Sequence, residues 1–98
     1  MEKIENAVYK FYDHLNEKYL LQVPKKIEFY FIDTEKIEDD EGCQFHARTQ
    51  DYDYELHILI ACRSHFGPLH LLAHEYCHLL QMYKWNTWRP GLIHPSQD

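Results

Sequence analysis

The sequence lacks several features that define large classes of proteins. No apolar run approaches the length of a membrane span, and the charged N-terminus, MEKIENAVYK, lacks the apolar centre of a signal peptide. Three cysteines without CxxC spacing make no disulfide framework and favour free thiols in a reducing compartment. The chain also has no internal repeat and no linker. These absences predict a cytoplasmic protein with a single domain over residues 1–98.

An excess of basic residues is also missing. Lys and Arg number 10 against 16 Asp and Glu, which gives a formal net charge of −6. Binding to a phosphate backbone needs a basic face, and the basic residues here are scattered along the chain. Neither nucleic acid nor a membrane is therefore an expected partner. Hydrophobic residues make up 45% of the chain and aromatic residues 15%, which predicts a packed core.

What the sequence does contain is an H-E-x-x-H motif, in the segment LLAHEYCHLLQMYK. On an α-helix, the i, i+4 spacing places His74 and His78 on one face, so both imidazoles can reach one metal ion. Glu75 then lies beside that ion, where a carboxylate accepts a proton from a metal-bound water and later gives it to a leaving amine. The motif predicts that His74 and His78 bind Zn²⁺ and that Glu75 is the catalytic base.

The surrounding sequence has to support the motif, because a chain with 8 histidines would contain it by chance in roughly 6% of random shuffles. Pro68 suits the first turn of a helix, and residues 69 to 84 contain no further glycine or proline. Apolar residues recur there at steps of three and four, which predicts a core face beside the histidines. If the histidines were ordinary residues, unpaired polar groups would lie on a core helix, which is costly. The context therefore favours a metal site.

Periodicity elsewhere predicts one more helix and three strands. Helical spacing covers residues 4–21, and alternation indicates strands at residues 26–31 and 43–48. Residues 56–61 are apolar on both faces, which predicts a central strand covered on both sides, and the turn at residues 49–54 predicts an antiparallel hairpin. We expect an α+β domain with an N-terminal helix, a three-stranded largely antiparallel sheet, the motif helix and a short irregular C-terminal tail. Both helices should pack on one side of the sheet.

This order of elements resembles the upper half of a zincin metallopeptidase. The smallest members are the most similar, namely SprT-like domains and minimal gluzincins. The resemblance covers residues 4 to 84 as an order of elements, and His74, Glu75 and His78 as a motif. It implies zinc-dependent hydrolysis of a peptide or protein substrate, with Glu75 as the general base. It also implies that an edge strand, at residues 43–48, pairs with an extended peptide.

The third zinc ligand does not follow from the motif. Gln81 and Lys84 stand where metzincins have glycine and histidine, and no glutamate follows Glu75 to serve as the usual gluzincin ligand. SprT-like domains take a third histidine from the segment after the motif helix, and GLIHPSQD resembles a shortened form of that segment. His94 is therefore predicted as the third ligand. The alternatives are Asp98, His70 and Cys77.

Two other functions remain open. A fourth protein ligand would close the site and leave a structural zinc in a non-catalytic metal-binding or protein-interaction module. Cys77, His70 and Asp98 are the candidates for that position, although a small apolar filler is the favoured role for Cys77. Alternatively, the chain is a latent peptidase whose own tail occupies the cleft.

Overall fold

A computed structural model of the chain describes residues 1–86. The first and the last of the described elements are helices, α1 (Glu2–Tyr19) and α2 (Pro68–Tyr83). Five strands lie between them: β1 (Lys26–Ile32), β2 (Ile37–Glu38), β3 (Gln44–Phe45), β4 (Ala47–Asp51) and β5 (Glu55–Ala61). The predicted α+β class, with an N-terminal helix and a motif helix, is confirmed. The predicted irregular tail lies outside the described residues.

The main sheet is mixed, with the strand order β1-β5-β4. Strand β5 is central, as predicted, and it pairs with β4 as the predicted antiparallel hairpin. Strands β1 and β5, in contrast, pair in parallel, so the sheet is less antiparallel than expected. A parallel pair needs a connection of about a dozen residues or more, and residues 33 to 54 supply it here.

The strand register places both helices on the same face of this sheet. Phe29, Ile58 and Thr49 are neighbours across the three strands, so their side chains share a face. The ring of Phe29 packs edge-on against Tyr12 of α1, with centroids 5.2 Å apart. Thr49 forms a hydrogen bond with a side chain of α2. The prediction that both helices pack on one side of the sheet is therefore correct.

The core lies between this face and the helices. Three residues of β5 that point towards the helices are 0% exposed: Leu56, Ile58 and Ile60. On the opposite face Ala61 is 0% exposed but His57 and Leu59 are only half-buried, so the predicted cover on both sides is partial. Both helices occupy the other face, and the rings of Tyr30 and Tyr52 flank His57 with centroid distances of 4.9 and 4.6 Å. These two tyrosine rings give that face its partial cover.

The second predicted strand is divided between two sheets. Strand β3 pairs with β2 in a small antiparallel ladder outside the main sheet. Strand β4 continues to Asp51, so the predicted turn at residues 49–54 shortens to residues 52–54. Pairing with the central strand overrides the polar composition of this segment, because strand formation depends more on the neighbouring strand than on intrinsic preference.

Backbone conformation accounts for the ends of the helices. Helix α1 stops at Tyr19, earlier than predicted, because Leu20 adopts a left-handed conformation with φ 54°. Helix α2 begins at Pro68 as predicted, after Gly67 with φ 83°, a conformation that a side chain would strain. In the part of the chain that the structure describes, no helix is both long and apolar enough to cross a bilayer.

Tyr76 joins the two helices. It is 2% exposed, and its hydroxyl donates a hydrogen bond to Oδ1 of Asn16 at 2.7 Å. The rings of Tyr12 and Tyr19 lie beside it, with centroids 5.8 and 6.1 Å away. Burial, and to a smaller extent the neighbouring tyrosines, raise the pKa of Tyr76 from 10.0 to about 12. This contact fixes the middle of α2 against α1.

Tyr76→Phe tests this contact through the free energy of unfolding. At neutral pH the variant should lose about 1 kcal/mol, since Asn16 loses its donor. In the wild type, the unfolded chain releases the Tyr76 proton above about pH 10, whereas the folded chain keeps it up to about pH 12. Stability should therefore fall with rising pH in this window, and the fall should be shallower in the variant. Chemical denaturation at several pH values measures both effects.

The control for this prediction is Tyr54→Phe, because Tyr54 is 87% exposed. It should match the wild type at every pH. Equal pH slopes for Tyr76→Phe and the wild type would contradict the account.

Candidate metal centre

Helix α2 brings the three motif side chains together. One ligand atom from each of His74, Glu75 and His78 lies within 4.8 Å of the other two. The two imidazole rings are nearly perpendicular, at 87°, with centroids 5.0 Å apart. This is the shared helical face that the i, i+4 spacing predicts.

The group lies on the inner side of the helix. Glu75 is 0% exposed and His78 is 5% exposed, while His74 is half-buried. Burying a carboxylate is costly unless hydrogen bonds, an ion pair or a metal ion compensate for the lost hydration. An apolar residue would serve the core better at the position of Glu75. The residues around Glu75 therefore have to supply the compensating donors or a cation.

Glu75 receives a hydrogen bond from the edge strand of the sheet. The hydroxyl of Thr49 donates to Oε1 of Glu75 at 2.9 Å. Thr49 lies in the segment predicted as a turn and was not predicted as a site residue. No local pattern marks it, because only the pairing of β4 with β5 brings it to α2.

Gln81 helps to orient His78. The Nδ1–H of His78 donates to Oε1 of Gln81 at 3.3 Å, and this tautomer leaves Nε2 available as a metal ligand. Gln81 stands where the metzincin pattern would require glycine, so the residue that separates the chain from metzincins has a role of its own. A hydrogen bond on the far nitrogen is usual for histidine ligands.

Two of the alternative ligands do not join the group. His70 is exposed, and its ring stacks on Phe66 with centroids 5.8 Å apart and an angle of 14° between the rings. Cys77 is an exposed free thiol, so the prediction that it fills apolar space is wrong. Because Cys77 is one position before His78, its side chain points about 100° away from that of His78 around the helix axis. Of the His, Cys, Asp and Glu side chains in residues 1–86, only three form such a group: His74, Glu75 and His78.

The other two candidates, His94 and Asp98, lie outside the described residues. His94 as third ligand, with Asp98 as its alternative, therefore stays a prediction.

Comparisons of the chain with protein-family models, with curated proteins and with solved structures found no match. The resemblance to zincins therefore stays a prediction, which rests on the motif and the order of elements. Since a fold alone does not specify a function, the function has to be argued from the site.

The donor set fits a divalent metal ion. Two imidazole nitrogens and a carboxylate oxygen are common ligands of zinc, and other transition metals accept the same donors. The group can therefore hold a metal ion, whose identity these donors do not specify.

His74→Ala and His78→Ala should each abolish metal binding, which we expect at about one ion per chain, because each removes one of two imidazoles on a shared face. Elemental analysis after dialysis against metal-free buffer measures the content. The matched control is His70→Ala, one turn earlier on the same helix, which should retain the metal. Full metal content in both motif variants would refute the assignment.

Proposed function

We propose that this protein is a cytoplasmic zinc-dependent metallopeptidase. The observation that carries the proposal is the complete burial of Glu75 between His74 and His78, with the three ligand atoms within 4.8 Å of one another. Zinc is the proposed ion because two or three histidines with one open position are typical of catalytic zinc.

Each side chain has a distinct role in this proposal. His74 and His78 hold the ion, together with His94 as the predicted third ligand. When bound there, zinc would activate a water molecule and polarise the carbonyl of the substrate. Glu75 accepts the proton of the attacking water and returns it to the leaving amine. Its burial keeps bulk water away from the carboxylate during this transfer.

Among the described residues, β4 is an edge strand of the main sheet, and this open edge supports a peptide as substrate. Ala61 donates to the carbonyl of His46 at 2.9 Å, and Tyr52 donates to Glu55 at 2.9 Å. In an antiparallel ladder, residues alternate between bonding to the partner strand and facing away from it. Three residues of β4 therefore turn their backbone N–H and C=O groups to the open edge: Ala47, Thr49 and Asp51.

An extended peptide can pair with these groups as an added strand. Thr49 contributes both to this edge and to the hydrogen bond with Glu75, so a paired peptide would lie close to the carboxylate. Adjacent strands are about 4.8 Å apart, which is within reach of the site. The substrate edge is thus β4, Ala47–Asp51, which replaces the predicted edge at residues 43–48.

The same burial also favours a second candidate, a closed metal site in a non-catalytic module. His78 is 5% exposed and Glu75 0% exposed, as expected for a structural zinc site without an open position. Neither Cys77 nor His70 joins the described group, so Asp98 is the one of the three predicted fourth ligands that stays a candidate. A latent peptidase blocked by its own tail is the third candidate. It differs from a closed site in gaining activity when the tail is trimmed.

Glu75→Gln should keep zinc and the fold but lose peptide hydrolysis, because the amide keeps the shape of the side chain and removes the proton acceptor. The loss should be at least 100-fold, the scale of general-base catalysis at roughly 10²–10⁴. Cleavage of a peptide library, with zinc content measured on the same samples, provides the test.

Glu17→Gln is the matched control for this experiment, since Glu17 is an exposed residue of α1. It should cleave at the wild-type rate. Equal rates for Glu75→Gln and the wild type would show that Glu75 is not the base. Loss of zinc from Glu75→Gln would show that Glu75 is a ligand.

Truncation after Trp88 and His94→Ala should both weaken zinc affinity markedly, because two histidines alone leave the ion without its third protein ligand. Competition with a graded series of chelators measures the affinity. Unchanged affinity in both variants would place the third ligand elsewhere. A loss on truncation alone would point to Asp98.

A further inference from the structure

We propose that Thr49 is a positioning residue that orients the Glu75 carboxylate and couples it to a peptide bound at the edge of β4. This inference rests on the proposed function. It assigns a role to a residue that no sequence motif marks, and it joins the two halves of the site through one side chain.

The proposed role depends first on the hydrogen bond between Thr49 and Glu75. The Thr49 hydroxyl donates to Oε1 of Glu75 at 2.9 Å, and the acceptor residue is 0% exposed. A hydroxyl that donates to a carboxylate makes one of the stronger hydrogen bonds in proteins, and low exposure strengthens it further. The terminal torsion of a glutamate is otherwise broad. Holding Oε1 therefore restricts the plane of the carboxylate next to the two imidazoles.

The second step is the rigidity of the donor. Threonine is β-branched, which restricts its side-chain torsion. The residues on either side of Thr49, Arg48 and Gln50, pair with Leu59 and His57 of the central strand. Within residues 1–86, the central strand thus holds Thr49 from one side, while the backbone N–H and C=O of Thr49 face the open edge.

The third step links this edge to the carboxylate. A peptide paired with the backbone of Thr49 would hold the strand from its second side, and so restrict the residue that orients Glu75. Removal of the hydroxyl leaves the backbone groups of β4 unchanged. Peptide binding should therefore be unchanged by the loss of the hydroxyl, whereas proton transfer at Glu75 should become slower.

Two substitutions separate the hydroxyl from the shape of the side chain. Thr49→Val keeps the β-branched shape and removes the donor, whereas Thr49→Ser keeps the donor. The matched control is Thr34→Val, because the Thr34 hydroxyl donates to the Lys36 carbonyl at 3.0 Å and has no contact with the site.

The kinetic experiment uses the zinc-loaded full chain with a cleaved peptide. For Thr49→Val we expect kcat to fall roughly 10-fold or more, the usual scale for a residue that supports a metal-site group, with KM and zinc affinity unchanged. Thr49→Ser should recover most of kcat, and Thr34→Val should match the wild type. Wild-type kcat in Thr49→Val, or an equal loss in the Ser and Val variants, would overturn the proposal. Lower zinc affinity in Thr49→Val would also overturn it, because Glu75 would then act as a ligand.

A second measurement needs no activity, so it separates this inference from the proposed function. With ¹³C at the carboxyl carbons of the nine glutamates, the resonance absent from Glu75→Gln identifies Glu75 in the zinc-free chain. Thr49→Val should shift this resonance, while Thr49→Ser and Thr34→Val should leave it nearly in place.

The combined results have distinct meanings. If the wild type cleaves no peptide, the peptidase proposal fails, and a shift confined to Thr49→Val still supports Thr49 as the residue that orients Glu75. If Thr49→Val causes no shift, the positioning role is refuted whether or not the chain is a peptidase. Thermal unfolding of each variant confirms that the compared chains are folded, and Thr49→Ala, which also removes the donor, replaces Thr49→Val if that variant does not fold.

Discussion

The burial of one carboxylate, that of Glu75, is the constraint on which the candidate site depends. At 0% exposure this group has lost its hydration, so the fold must supply donors or a cation around it. The Thr49 hydroxyl is one such donor, and it is in place only because β4 pairs with β5 in the observed register. A well-packed apolar residue at this position would often be neutral or stabilising. The chain therefore keeps a group that its packing does not require.

Helix α2 serves the core and the site at once. Leu72, Leu79 and Tyr76 are at most 2% exposed, and Tyr76 binds Asn16 of α1. One position before Tyr76, Glu75 reaches the edge strand instead. Because a rigid helix fixes both positions, packing against α1 determines where the histidines and the carboxylate lie relative to β4. A site built on regular elements holds its geometry more closely than one built on loops.

Local patterns in the sequence predict the parts of the fold that depend on residues close to one another in the chain. Proline at the start of α2, the 3.6-residue period of both helices and the apolar run of β5 were enough to predict these elements. The parallel pairing of β1 with β5 depends on contacts across residues 33 to 54, which no local pattern encodes.

The candidate site likewise has residues that local sequence patterns predict and a residue that they do not. His74, Glu75 and His78 follow from their spacing on one helix. Thr49 does not, because its contact with Glu75 joins residues 26 positions apart. The prediction for Cys77 failed for a similar reason. Its residue type suggested a side chain that fills apolar space, whereas its position around the helix leaves it exposed. Contacts between elements, rather than residue types, decide both cases.

The most direct test of the central claim is the coordination shell of zinc in the loaded full-length chain, measured by crystallography or X-ray absorption. The account predicts nitrogen ligands from His74 and His78 at about 2.0–2.1 Å, a third protein ligand, one water, and Glu75 outside bonding distance. A shell with four protein ligands and no water, or one with a Glu75 oxygen bound to the ion, would contradict it.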